Sequence, residues 1–197
     1  MDLVCVDYDG NRVWDTNPGL LDIPYGYASS LVRYNNLLIV MLDQGMSDED
    51  LSKMVAFDAK TGKTVWEKKR PVAASWVTPI IINAASKDQL ITFAEPGIRS
   101  YDPATGNELW FADCAEGEIA PSPVCAKGMV IAAQDMSMMT AVKTDGKGDV
   151  TKTHVVWSVE GDLPDTASPV AAGDLLFTIH SAGYLTCFDT KDGKELW

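Results

Sequence analysis

Short apolar runs, each closed by Gly, Asp or Asn, recur along the whole chain and predict strands in place of helices. The C-terminal stretch shows the pattern most fully. An apolar run at 168–171 meets a Gly173-Asp174 turn and is followed by Leu175–Ile179. A turn over 180–183, a strand over 184–188, a turn over 189–193 and a strand over 194–197 complete a four-stranded unit. Several runs, such as Leu3–Val6 and 37–41, are apolar without clean alternation, which predicts strands covered on both faces.

These units repeat. Phe57-Asp58-Ala59-Lys60-Thr61-Gly62-Lys63-Thr64-Val65-Trp66 matches Tyr101-Asp102-Pro103-Ala104-Thr105-Gly106-Asn107-Glu108-Leu109-Trp110. It matches Phe188-Asp189-Thr190-Lys191-Asp192-Gly193-Lys194-Glu195-Leu196-Trp197 equally well. A copy one residue shorter runs from Val6-Asp7 through Gly10 to Trp14, and a degraded copy runs from Val142 through Asp145-Gly146 to Trp157. The tryptophans at 14, 66, 110, 157 and 197 are separated by 52, 44, 47 and 40 residues, the period of a propeller blade. A second marker keeps step: Thr78-Pro79, Ser122-Pro123 and Ser168-Pro169 follow their tryptophans by 12, 12 and 11 residues.

The expected fold is therefore all-β, a β-propeller arc of about four to five four-stranded antiparallel blades forming one domain over 1–197. The repeats fall at 1–14 (partial), 15–66, 67–110, 111–157 and 158–197. The motif has a physical basis. Asp7, Asp58, Asp102 and Asp189 end strands, where a carboxylate accepts hydrogen bonds from turn amides two residues on. Gly10, Gly62, Gly106 and Gly193 sit where the hairpin needs positive φ. Each tryptophan then supplies a large apolar plate with one N–H to satisfy.

Composition narrows the class. With 46% apolar and 22% charged residues the chain reads as a folded globular protein, and its longest apolar runs fall far short of the roughly 20 residues of a membrane helix. A net charge of −12 repels phosphate backbones, which argues against nucleic acid. The most basic stretch, Glu67-Lys68-Lys69-Arg70, reads as the solvated end of a strand. Cys5, Cys114, Cys125 and Cys187 form no CxxC or vicinal pair, so zinc-ribbon and thioredoxin-like sites are excluded.

The repeat, with its D-x-x-T-G-x-x-x-W turn and Ser-Pro before the next blade, resembles the PQQ-like (pyrroloquinoline-quinone-type) propeller family. The resemblance spans essentially the whole chain. It implies that Trp14, Trp66, Trp110, Trp157 and Trp197 dock against neighbouring blades, and that the parent propeller has seven or eight of them. It also implies an exported protein, in the periplasm, the cell envelope or outside the cell. The family contains quinoprotein dehydrogenases, which bind PQQ and calcium, and non-enzymatic exported scaffolds. The dehydrogenases hold a vicinal disulfide over the quinone, and no two cysteines are adjacent here. No catalytic, cofactor or metal residue is assigned. The leading expectation is a non-catalytic module that binds a protein or carbohydrate partner through inter-blade loops; the alternative is a fragment of a PQQ-dependent dehydrogenase. An arc of blades also leaves strand edges open to pairing with another copy.

Candidate contact residues follow from departures from the repeat. The segment 43–50 is an insertion carrying Asp43, Asp48, Glu49 and Asp50, a first choice for a partner contact and a cluster of oxygens that invites comparison with a calcium loop. Trp76 is out of phase with the other tryptophans, either lining a central funnel or packing in the core. His180 sits in the last blade's short turn, expected to face solvent, and Met136, Met138 and Met139 lie at the equivalent turn of another blade. Cys5 and Cys187 occupy one blade position that other repeats fill with Ala or Ser, which reads as tight packing. Cys114 and Cys125 flank one inter-blade loop, and a disulfide between them is geometrically conceivable.

Overall fold

In the computed structural model, which describes residues 2–135 and 137–197, the chain forms successive antiparallel meanders, with no helix among the described residues. The first sheet is a pair, β1 (Leu3–Val6) and β2 (Arg12–Thr16). The second runs β3 (Val32–Tyr34), β4 (Leu37–Leu42), β5 (Lys53–Asp58) and β6 (Thr64–Lys69). The third runs β7 (Ile80–Ala84), β8 (Lys87–Ala94), β9 (Gly97–Tyr101) and β10 (Glu108–Asp113). The fourth holds β11 (Val124–Ala126), β12 (Met129–Ala133) and β13 (Met139–Lys143). The short β14 (Gly148–Asp149) leaves it, and β15 (Val155–Val159) closes it. The last sheet is β16 (Val170–Ala172), β17 (Leu175–Ile179) and β18 (Leu185–Asp189). The last four sheets are successive propeller blades and the first pair is part of another, and the all-β propeller expectation is met.

The middle strands of the inner blades are buried on both faces, as their unbroken apolar runs require. All five residues of β9 and all five of β12 are buried. The last blade departs from expectation in one respect. The segment 194–197 does not form a regular strand; it lies beside β18 through a single bridge between Phe188 and Glu195 and hydrogen bonds between Cys187 and residues 196 and 197. The open faces of the terminal blades expose apolar side chains, Val4, Val6 and Val13 on the first and Val170, Ile179, Leu185 and Trp197 on the last. Burying such faces is what a neighbouring blade does in a propeller.

The turn motif closes on itself as its chemistry suggests. Asp58 Oδ1 accepts from the amides of Lys60 at 3.0 Å and Thr61 at 2.9 Å, and Asp102 and Asp189 accept from Ala104 and Lys191, each at 2.8 Å. Asp7 Oδ1 accepts from Asp9 at 3.0 Å. Gly10, Gly62, Gly106 and Gly193 all have positive φ, between 68° and 84°. Three of these glycines carry a tryptophan of the preceding blade. A Cβ on Gly62 would stand 2.5 Å from Cε3 of Trp14; on Gly106 it would meet Trp66, and on Gly193 Trp157. Gly62→Ala is expected to destabilise by at least about 1–2 kcal/mol, from the left-handed backbone alone. Urea unfolding measures it; an unchanged midpoint would contradict the contact.

The Thr/Ser-Pro markers acquire a role as inter-blade ties. The amide of Ser30 donates to Thr78 Oγ1 at 3.0 Å, that of Thr78 to Ser122 Oγ at 2.9 Å, and that of Ser122 to Ser168 Oγ at 3.0 Å. Each hydroxyl thus satisfies a backbone donor of the blade before it, where no strand could.

Candidate functional site

A four-stranded antiparallel blade has two ends. Its first and third hairpin turns lie at one, and its second turn and the connection to the next blade lie at the other. The loop end is therefore built from 17–31, 43–52, 70–79, 95–96, 114–123, 134–135, 137–138, 160–169 and 180–184. These segments contain no lysine, and their single arginine is Arg70. They surround a concavity of about 1040 Å³ whose wall includes Tyr25, Trp76, Glu116, Glu118, Gln134, Asp135 and Asp165. A smaller hollow of about 350 Å³ adjoins it, sharing Trp76, Gly117 and Glu118 and adding Met46 and Glu95.

Trp76 is half-buried at the centre of this region. It lies in the connection before β7 and not on a strand, and its indole N–H donates to the carbonyls of Gly26 at 2.9 Å and Pro24 at 3.2 Å. The Tyr25 ring stands 5.7 Å from it, tilted by 52°. Tyr25 itself is 86% exposed with φ 63°, a left-handed conformation that a bulky residue rarely takes. Gln134, 8% exposed, donates through Nε2 to the Glu118 carbonyl, and its Oε1 is buried without a partner. The hydroxyl of Ser181 holds the Asp165 carboxyl below the usual carboxylate range.

Against the connection that carries Trp76, through Ser75, lies a buried ion pair that the sequence did not suggest. Arg70, read there as solvated, is fully buried, and so is its partner Asp43. The guanidinium also donates to Thr92 Oγ1 at 2.8 Å and Tyr101 OH at 3.3 Å, while Ser75 Oγ donates to Asp43 Oδ2 at 2.8 Å. Burial raises the Asp43 carboxyl, opposed by the Arg70 charge and the Ser75 hydroxyl. Asp43 is thus not a partner contact: at the end of β4 its carboxylate turns inward because Arg70 would otherwise be an uncompensated buried charge. The network fixes the connection 70–76 that carries Trp76.

The remainder of the insertion is local structure. Asp48, Glu49 and Asp50 are exposed, Glu49 Oε2 accepts from the Met46 amide at 2.7 Å, and Asp50 pairs with Lys69. Its carboxylates point apart, and among the described residues no group of three or more His, Cys, Asp or Glu side chains converges as a metal site. His180 is largely shielded, with Nδ1 accepting from the Ala182 amide at 3.0 Å and Nε2 3.9 Å from Asp135 Oδ2. It therefore joins the loop end instead of facing open solvent. Met139 is buried and Met138 partly exposed, and Met136 lies outside the described residues. All four cysteines are free thiols, so Cys114 and Cys125 form no disulfide; Cys187 is buried and Cys5 half-buried.

Two groups near the loop end make stability fall in alkali. Burial, with the nearby Asp43 charge, pushes Tyr27 up from 10.0 to about 12, and burial pushes the Cys114 thiol up from 9.0 to about 11. Both native-state values lie above the unfolded ones, so the native state holds the protons longer. The contribution is complete below pH 9 and is lost as pH rises from 9 to about 12. Denaturant midpoints are expected to decline over that window, and less steeply in Tyr27→Phe. A Tyr27→Phe profile superimposable on the wild type would contradict it.

The family model described as "Outer membrane protein assembly factor BamB" matches residues 50–197. The chain belongs to this BamB-type branch of the PQQ-like propellers. An outer membrane protein assembly factor BamB from Francisella salina is 30% identical over 102 residues, covering 51% of this chain and 17% of that protein. A quinoprotein ethanol dehydrogenase from Pseudomonas aeruginosa is 46% identical over 50 residues, 25% of this chain and 8% of that one. The solved BamB from Moraxella catarrhalis superposes with a TM-score of 0.72 at 17% identity over 100% of this chain and 57% of its own. The quinohemoprotein alcohol dehydrogenase of Comamonas testosteroni does so at 0.63 and 16% identity, over 99% and 39%. The chain therefore spans only a small part of the length of the matched relatives and just over half of the BamB structure.

Sequence reasoning picked out Trp76, His180 and the 43–50 insertion at this end, but not Tyr25, Glu116, Glu118, Gln134, Asp135 or Asp165. The signal was available: every inter-blade connection is free of lysine.

Proposed function

We propose that the chain is a non-catalytic interaction module that engages a protein partner through its loop end, in the cell envelope. One observation carries the reading: the loops of successive blades converge on a concavity with an aromatic pair, Tyr25 exposed and Trp76 half-buried, and an acidic wall. Loops held by a rigid scaffold are where such folds place recognition. Membership of the BamB-type family supports it, since the family's description is that of an assembly factor. Pairing through the open terminal blades is a second route to partners, including another copy.

The dehydrogenase reading draws on the short stretch of identity with the quinoprotein ethanol dehydrogenase. The residues around the concavity fit its cofactor poorly. PQQ is a tricarboxylate, and the wall presents Glu116, Glu118, Asp135 and Asp165 with no lysine or arginine to receive it.

Photo-crosslinking in producing cells tests the proposal. A photoreactive residue at Gly117 or Thr166, on the loop end, is expected to capture a discrete protein partner. The same residue at Lys60 or Lys191, on the turn end, is expected to capture none. Capture from the turn end alone, or from neither, would overturn the reading.

A further inference from the structure

The concavity is unusual in what it lacks. Its wall supplies carboxylates from Glu116, Glu118, Asp135 and Asp165, and includes no lysine or arginine; among the described residues the one basic side chain placed against them is His180, with Nε2 3.9 Å from Asp135 Oδ2. The positive charges lie elsewhere: Arg70 is buried against Asp43, Lys53 and Lys69 pair with Glu67 and Asp50 around a separate hollow, and Lys60, Lys63, Lys127, Lys191 and Lys194 belong to turns at the opposite end. Apart from the hydroxyls of Tyr25, Ser122, Thr166 and Ser168, which accept as well as donate, the wall's side-chain N–H donors are already engaged. The Trp76 N–H is already taken by Pro24 and Gly26, and the Gln134 amide nitrogen by Glu118. What remains of Trp76 is its π face, and what remains of Gln134 is Oε1, a buried acceptor with no partner.

A site rich in acceptors and negative charge, with an aromatic face, is complementary to a group that only donates and is positive. Ammonium and guanidinium groups both qualify, and the planar guanidinium also stacks on an indole. The volume, about 1040 Å³, is larger than one side chain and suits a short segment of polypeptide. We infer that this concavity receives an arginine-bearing segment of the partner protein, with a guanidinium over Trp76 and the surrounding carboxylates as its counter-charge. The inference rests on the interaction reading and specifies the partner's chemistry.

The test uses the full chain and two blocked tetrapeptides, acetyl-Leu-Arg-Leu-Arg-amide and its counterpart with citrulline for arginine. Citrulline keeps the shape and most donors and removes the charge. Binding is read from the Trp76 indole N–H signal in NMR spectra, assigned with Trp76→Phe, and from calorimetry. The arginine peptide is expected to saturate and shift that signal, and to bind at least about tenfold more tightly than the citrulline peptide. The preference is expected to shrink as salt rises from about 50 to about 300 mM. Because Trp76 anchors the loop at 24–26, Glu116→Gln/Glu118→Gln serves as a second variant that leaves the fold intact and weakens binding several-fold. Equal affinity for the two peptides, absence of saturation, or full binding by the double glutamine variant would overturn the inference. So would a concentration-dependent Trp76 shift without peptide, which would make a second copy of the chain the occupant. If peptide binding fails while crosslinking from Gly117 still captures a protein, the inference falls and the interaction module stands. If both fail, the reading beneath it falls as well.

Discussion

Replacing Arg70 with methionine is expected to cost the native state about 3–5 kcal/mol. The guanidinium is fully buried, and among the described residues it is the only cation paired with the fully buried carboxylate of Asp43. Removing it strands that charge and also unpairs Thr92 Oγ1 and Tyr101 OH. The double variant Asp43→Leu/Arg70→Met removes both charges together and is expected to recover much of the loss, because a buried pair contributes little net stability beyond an apolar pair of similar volume. Equilibrium denaturation of wild type, both single variants and the double variant gives the coupling energy. A cost for Arg70→Met near that of a surface substitution would show the pair to be solvated. Because Arg70 and Ser75 bracket the connection that carries Trp76, the same variant is expected to shift the Trp76 indole signal.

Trp110→Ala ranks next, at about 3–5 kcal/mol, whereas Trp197→Ala is expected to stay within about 0.5 kcal/mol. The five motif tryptophans share a sequence position but not an environment. Trp110 is fully buried and donates to Gln89 Oε1 at 2.9 Å; Gln89 in turn donates to the Thr144 carbonyl at 2.8 Å. Trp14 and Trp157 instead donate to the backbone carbonyls of Ala59 and Thr190, each at 3.1 Å, and the buried Trp66 N–H has no partner. Trp197 is 60% exposed. The cause lies in the fourth blade's long turn. Residues 148–149 cross to the third blade and pair in parallel with Trp110 and Phe111, sealing the outer edge of β10. Urea unfolding of the two alanine variants measures the contrast, and equal midpoints would contradict it.

The blade repeat was legible because its signals are local and recur. Aspartate at the strand end, glycine at the turn and tryptophan four residues further on in the next strand each answer a constraint of one hairpin, and Leu3–Val6 and Leu175–Ile179 form strands over the bounds their apolar runs predict. What escaped were features fixed by distant partners. Gly148-Asp149 is a two-residue strand with no periodicity of its own, and it exists only because β10 offers a free edge. Arg70 ends a run of charged residues and reads as solvated until Asp43, 27 residues earlier, is brought against it. The concavity is likewise assembled from the connections between successive blades and one turn within a blade, whose Thr/Ser-Pro markers say nothing of the acidic residues beside them; its charge emerges only when the loops are gathered at one end.

Hydrogen exchange on the full chain, alone and with the captured protein partner, tests that gathering most directly. Binding is expected to slow exchange in 17–31, 70–79, 114–123 and 160–169 and to leave the turns at 58–63, 102–107 and 189–194 unchanged. Protection confined to those turns, or to the open edges of the first and last blades, would contradict it.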